Sequence, residues 1–271
     1  MQVRSLSGFV VLLAIALLLA PVVGAQGAPG VDPLPAAPPI AHADPARETL
    51  TFGGVASPPR CPQTTSGGGS RAYLPFVARN YDPLRLYFDS FGDESSGWPI
   101  TDNDQRRGAY LGGEYQILLK WTDWGWLVTP DLVLPSDYRI EVDARQVGSN
   151  ASSYGVMFAI HSTADSYEGY QVIVYPASQL YLLEKRNLDA SWPLLIDWTY
   201  SSAIHAGTAA NHLRVDRIGT LIYFYVNGTL VTTFADSTFT GAGRDAGIRA
   251  YSYESAPVDV RFDNFGAYRI P

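Results

Sequence analysis

The stretch Leu221-Ile222-Tyr223-Phe224-Tyr225-Val226-Asn227-Gly228-Thr229-Leu230-Val231-Thr232-Thr233-Phe234 decides the fold class. Both flanks are built from aromatic, aliphatic and β-branched residues, which suit a pleated surface. Between them stands Asn-Gly, the preferred pair for a two-residue type I′ turn, because both central positions need φ > 0. The stretch therefore predicts a hairpin with strands at 221–226 and 229–234. The first flank is apolar on both faces, as a covered strand would be.

Working outward, the same language recurs. Tyr138, Ile140, Val142 and Ala144 alternate with Arg139, Glu141, Asp143 and Arg145. Val258, Val260 and Phe262 alternate with Asp259, Arg261 and Asp263. A period of two is the signature of a strand with one buried face and one wet one. Further strands are predicted over 110–120, 154–161, 169–175, 180–185, 194–199, 211–216 and 246–252. No segment carries a sustained i, i+3, i+4 stripe between caps, so helices should be few and short. Many antiparallel strands over residues 83–271 suit an all-β jelly-roll sandwich of two antiparallel sheets.

The chain before that region is different. Phe9 to Ala20 is an unbroken apolar run behind Arg4, and Val23-Gly24-Ala25 places small residues ahead of Gln26. Residues 1–25 read as a secretory signal peptide, and twelve helical residues span only about 18 Å, short of a ~30 Å hydrocarbon core. No stable membrane span is expected after cleavage, and the product is expected to be secreted, extracellular or at the cell surface. Residues 26–70 are a Pro/Ala/Gly-rich linker, expected to be disordered, ending in Gly67-Gly68-Gly69-Ser70. Proline fixes φ and removes ladder donors, while the Gly tract is flexible. Residues 71–82 hold the apolar Tyr73-Leu74-Pro75-Phe76-Val77. This element is similar to a Tyr-Leu-Pro-Leu-Val-type segment found beside linkers in some secreted bacterial proteins. It reads as a docking strand or as a sorting or tethering signal.

Composition excludes several chemistries. A formal charge of −7 over 271 residues argues against a grip on nucleic acid, which needs a basic stripe. The single Cys rules out an internal disulfide framework and a Cys-cluster zinc site. Cys61, in the linker, is either incidental or the point of an intermolecular disulfide. His161, His205 and His212 lack a triad signature, and no Gly-x-Ser-x-Gly elbow occurs.

The order of motifs in 83–271 resembles a known family. Phe88-Asp89-Ser90-Phe91, Ser95-Ser96-Gly97-Trp98-Pro99, Tyr154-Gly155-Val156-Met157-Phe158, Ala210-Asn211-His212-Leu213-Arg214-Val215 and Arg261-Phe262-Asp263-Asn264-Phe265 follow one another. They resemble bacterial secreted concanavalin A-like domains, related to laminin-G-like modules and to the 3-keto-disaccharide hydrolase family. The resemblance implies a structural calcium ion, with Asp89 and Asp263 or Asn264 as ligands. It also implies comparison with laminarinase-type enzymes, which carry Glu-x-Asp-x-x-Glu on one strand. Here the third acid is replaced by Gln146, and Arg145 is expected to hold Glu141 and Asp143 ionised. No catalytic residue is assigned.

Aromatic residues make up 13% of the chain, enough to offer flat surfaces to sugar C–H faces. Trp124 and Trp126 share a face if 124–128 is extended, Tyr223 and Tyr225 share another, and Trp198 stands beside Asp197. These five are the candidate ligand-binding residues, with core packing as the alternative for each. The leading expectation is a secreted, non-catalytic module that binds carbohydrate or recognises a cell surface. A glycoside-processing hydrolase of the 3-keto-disaccharide type and a structural or adhesion protein are the alternatives.

Overall fold

The structure is a computed structural model that describes residues 49–52 and 82–271. The stretch expected to be a signal peptide, most of the expected linker with Cys61, and the Tyr-Leu-Pro element lie outside the described residues. Sixteen strands account for the architecture. They are β1 (Thr49–Phe52), β2 (Arg85–Asp89), β3 (Thr101–Asp102), β4 (Arg106–Leu111), β5 (Glu114–Leu119), β6 (Trp124–Thr129), β7 (Tyr138–Val147) and β8 (Ser152–Ser162). Then follow β9 (Tyr167–Tyr175), β10 (Leu180–Arg186), β11 (Leu194–Tyr200), β12 (Asn211–Ile218), β13 (Leu221–Val226), β14 (Thr229–Ala235), β15 (Asp245–Ser252) and β16 (Val258–Arg269). One turn of 3₁₀ helix, Glu94–Ser96, is the only helical element among the described residues.

The strands form two sheets. The seven-stranded sheet runs β1-β6-β15-β8-β9-β10-β11; the nine-stranded sheet runs β14-β13-β12-β7-β16-β5-β4-β3, with β2 also on β16. The expected all-β jelly-roll sandwich is what the chain forms. Pairing is antiparallel except that β1 runs parallel to β6, so a stretch read as linker contributes an edge strand. The predicted hairpin turns at Asn227-Gly228 with φ of 51° and 79°, as its type requires. The strand predicted over 110–120 is instead the hairpin β4–β5. Gly112-Gly113, at φ 67° and 83°, supplies a second turn of the same hand inside the apolar run.

The core lies between the sheets, and alternation fills it. Ile140, Val142 and Ala144 of β7 and Val260 and Phe262 of β16 are buried against Tyr154, Val156 and Phe158 of β8 and Ala246, Ile248 and Ala250 of β15. Trp124 and Trp126 belong to this core at 1% and 0% exposure. Gly108 on β4 makes room for Trp126: a Cβ there would stand 2.5 Å from its ring. The Arg106 guanidinium covers both indoles, at 5.5 and 4.7 Å. As candidate sugar platforms these two tryptophans are therefore corrected to core residues.

One buried amide ties the loops to the core. Asn211, fully buried on β12, donates to the Tyr154 hydroxyl (3.0 Å) and the His205 carbonyl (3.0 Å), and accepts from the His205 N–H (2.7 Å) and the Asn227 amide (2.8 Å). Removing it strands several polar groups at once. Asn211→Ala is expected to cost about 1–3 kcal/mol, read as a lower urea midpoint at an unchanged denaturant slope.

Candidate functional site

The outward side chains of the seven-stranded sheet form a layer of rings and polar groups. Because their sequence neighbours point inward, β15 turns Arg249 and Tyr251 outward, β8 Ser153, β9 Gln171 and Tyr175, and β10 Glu184 and Arg186. Register sets each large group beside a glycine: Arg249 opposite Gly155, Tyr251 opposite Gly125, and Arg186 opposite Gly169. A Cβ at Gly125 would lie 2.5 Å from the Tyr251 ring, so that ring rests flat across the bare backbone.

Inside the layer the polar groups find one another. Gln171 Nε2 donates to Glu184 and lies 3.1 Å from the Tyr251 hydroxyl. Arg249 donates to the Tyr167 hydroxyl (2.9 Å), and its guanidinium stands 4.5 Å from the Tyr251 ring and 4.7 Å from Trp192. Arg186 stacks 3.9 Å over Tyr167. All of these groups but the half-buried Trp192 are buried, and Glu184 is the only carboxylate among them.

Exposure rises at one rim. Tyr175 packs against both Tyr253 (5.7 Å) and Trp198 (6.2 Å), and both Tyr175 and Trp198 are half-buried. The Trp198 indole N–H is turned inward, shut off from solvent and without a hydrogen-bond partner among the described residues. Burial, and then the charge of the Glu254 carboxylate, push the Tyr175 hydroxyl up. Glu254 also lines a groove of about 650 Å³ with Lys120, Trp121, Thr122, Ser255 and Ala256. Trp121 is 37% exposed there.

The five expected ligand residues are thus dispersed. Trp124 and Trp126 are internal, Trp198 is on the rim, and Tyr223 and Tyr225 sit on the outer face of the other sheet, where Arg214 covers Tyr225 at 4.3 Å. That face is ionic, as the alternation implied, but its pairing differs from expectation. Arg145 makes a two-pronged bond to Glu114 (2.8 and 2.7 Å) and leaves Glu141 and Asp143 to others. Register places Glu114 on β5 within its reach, and register is invisible in the sequence of one strand.

Asp143 instead pairs with His212 Nδ1 (2.7 Å) and accepts from the Asn264 amide (2.9 Å). Asp263 lies directly opposite Asp143 on β16. Immediately after it a bulge, with Asn264 at φ 52°, swings Asn264 onto the same face. Two carboxylates in register pull in opposite directions. The His212 hydrogen bond holds Asp143 below the usual carboxylate value, whereas burial, assisted by the charges of Asp143 and Glu114, pushes Asp263 up. A groove of about 210 Å³ runs between Glu114, Asp143, Arg145, Ala210, Arg261 and Asp263.

The expected calcium ligands do not fit an ion. Both oxygens of Asp89 accept protein hydrogen bonds, from Phe91 N–H and the Ser96 hydroxyl, and the Asn264 amide faces Asp143 with its nitrogen. Ca²⁺ needs six to eight oxygens, which these residues do not offer. Among the described residues no group of three or more His, Cys, Asp or Glu gathers in a metal-holding arrangement.

The His212–Asp143 bond makes stability depend on pH. Asp143 raises the His212 value above its ordinary 6.5, so this contribution is complete below that value and fades as pH climbs through the raised one. Asp143, depressed, contributes above the ordinary carboxylate range and loses its share in acid. The urea midpoint of the wild type minus that of His212→Gln should be larger at about pH 5.5 than at about pH 9.

No family model matches the chain, and no curated protein matches it. Solved structures do. A protein of unknown function with a galectin-like fold from Bacillus subtilis superposes with a TM-score of 0.53 at 11% identity, covering 69% of this chain and 96% of that one. An endo-acting O-glycanase structure from members of the human gut microbiota gives 0.52 at 11%, covering 69% and 100%. The Bacillus licheniformis β-glucanase gives 0.51 at 10%, covering 68% and 98%. At these identities the likeness shows the fold alone, a jelly-roll β-sandwich.

Proposed function

We propose that the chain is a secreted, non-catalytic module that binds carbohydrate at the Trp198–Tyr175–Trp121 rim of the seven-stranded sheet. The observation that carries this is the half-buried Trp198 packed on Tyr175 together with Trp121, exposed in the groove that the Glu254 carboxylate also lines. Aromatic faces suit the C–H faces of sugars, and convergent polar groups fix the hydroxyls. The buried layer of Arg249, Tyr251, Gln171 and Glu184 supports the rim from beneath. Two of the structural neighbours are a glucanase and an O-glycanase by name, which supports polysaccharide as the class of ligand. Secretion rests on the pattern of residues 1–25, and the laminin-G-like kinship on the motif order in 83–271.

A hydrolytic reading of the 3-keto-disaccharide type has one observation in its favour, the facing pair Asp143 and Asp263. Opposite residues on antiparallel strands hold their Cβ atoms about 4.5–5.5 Å apart, and a retaining glycosidase needs carboxyls at about 5–5.5 Å. The opposite displacement of their proton affinities is also the acid–base division such chemistry uses. Binding is the better reading because no ring lines that groove to hold a sugar in place.

Two measurements separate these. On a glycan array the purified chain should bind, with the signal falling at least about tenfold in Trp198→Ala and Tyr175→Ala, a loss of ~1.4 kcal/mol or more. Unchanged binding in both variants would remove the rim from consideration. With β-glucan or 3-keto-disaccharide the wild type should release no product over hours; sustained release abolished by Asp263→Asn would establish the hydrolytic reading instead.

A further inference from the structure

The outer face of the seven-stranded sheet is dry, although the described strands form two layers and lay no third one over it. Leu127 on β6, Met157 on β8, Ile173 on β9 and Leu182 on β10 alternate with core residues and so turn away from the core, yet they are 0–3% exposed. The opposite sheet shows an open outer face: Arg139, Glu141, Asp143 and Arg145 keep 24–38% of their side-chain surface. The loop between β10 and β11 reaches over one end, where Trp192 stands 4.7 Å from the Arg249 guanidinium and 5.8 Å from that of Arg186. An outward apolar row shut off from water has something lying on it, and no strand among the described residues does.

Chain path and chemistry identify the cover. β1 runs parallel to β6, with Thr49 in register with Trp126 and Leu50 with Leu127. The residues that lead into β1 therefore arrive at the start of β6, on the edge of this face. Residues 35–48 hold Pro35, Pro38, Pro39 and Pro45 together with Asp44 and Glu48, whereas residues 53–81, which leave β1, hold no acid and three arginines. The face itself carries two guanidiniums, Arg249 and Arg186, among the rings of Tyr251, Tyr167 and Trp192. Its own carboxylate, Glu184, takes the Gln171 amide. Of the acids around it, Glu168 holds Arg244 (3.0 Å), Asp245 accepts from the Leu132 N–H (2.8 Å), and Asp165 and Asp189 are exposed, the latter bonded by Ser191 (3.0 and 2.6 Å). Fourteen residues in the polyproline form reach about 43 Å. The four strand spacings from β6 to β10 need only about 19 Å.

We propose that residues 35–48 lie across the outer face of the seven-stranded sheet as an intramolecular ligand, with their prolines on the Tyr251, Tyr167 and Trp192 rings and their two carboxylates on Arg249 and Arg186. A preformed extended proline-rich segment loses little entropy on docking to an aromatic-lined groove, and carboxylates give guanidiniums charge-assisted hydrogen bonds. The β1 register, continued one residue back, brings Glu48 opposite Gly125, the residue across which the Tyr251 ring rests. Docking here is independent of carbohydrate binding at the rim.

Met157, whose sulfur lies 4.0 Å from Arg249, reports on the cover. Hydrogen peroxide converts accessible methionine to the sulfoxide, which mass spectrometry follows in the purified full chain. Reversing both charges, Asp44→Arg with Glu48→Arg, should speed Met157 oxidation at least about tenfold, because opening of the cover limits access of the reagent. Arg71→Glu with Arg79→Glu should leave the rate as it is. An unchanged rate in the first variant, or an equal rise in the second, would overturn the proposal. So would a wild-type rate that falls as protein concentration rises, which would make a second copy the occupant. Should the first variant not fold, hydroxyl-radical labelling of the wild type decides: labelling of Ile40 and His42 at least about fivefold slower than in urea supports the docking, and equal rates refute it.

Discussion

The nine-stranded sheet depends on a single strand that changes partner halfway. β16 keeps β7 along one edge, while along the other it pairs with β5 through Phe262 and then with β2 from Phe265 onward. The switch happens at the bulge that follows Asp263, where one strand must gain residues without losing its alternation. Asn264 absorbs the change at positive φ, a conformation that Asn tolerates better than most residues. Phe265 then returns to the core at 0% exposure. The same bulge gathers Asp263 and Asn264 around Asp143, so the device that lets β2 join the sheet also builds the carboxylate pair.

That dependence explains what the sequence made legible. Alternation at 138–147 and 258–263 is a property of single strands, and so it was readable: each inward residue is buried and each charged one faces out. The Asn-Gly hairpin is local as well. The Gly112-Gly113 turn is equally local, yet it lies inside a run whose apolar residues continue on both sides and mask the reversal. β1 is four residues within Pro- and Ala-rich sequence, too short to show any period.

The site was less readable, because its chemistry is assembled by register. His212 on β12 meets Asp143 on the adjacent β7 across 69 positions of chain, and Arg145 on β7 reaches past β16 to Glu114 on β5 across 31, alignments that no single segment encodes. Trp124 and Trp126 are misplaced by reasoning from aromatic content alone. The room for Trp126 comes from the missing side chain at Gly108, which lies on another strand of the other sheet. Trp198 is the one expected ring that reaches the rim. Its partners Tyr175 and Glu254 carry no signal beyond an aromatic at a strand end and an acid in a loop.

The two outer faces of the sandwich are built on different principles. On the nine-stranded sheet, charges of opposite sign meet from different strands, Arg139 with Asp216 on the adjacent β12 and Arg145 with Glu114 across β16, and neutralise each other within hydrogen-bonding distance. Surface pairs of that type contribute little individually, but they leave no demand for an outside partner. On the seven-stranded sheet, glycines at 125, 155 and 169 remove the side chains that would otherwise prop up their neighbours, and Tyr251, Arg249 and Arg186 stand beside them in register. Any side chain added at Gly125 strikes the Tyr251 ring, and one at Gly155 would come within 2.0 Å of the Val172 carbonyl oxygen. The flatness of that face is therefore enforced by close approach of backbone and ring, and a flat, polar-edged aromatic floor is the surface on which the rim rings can be held in place.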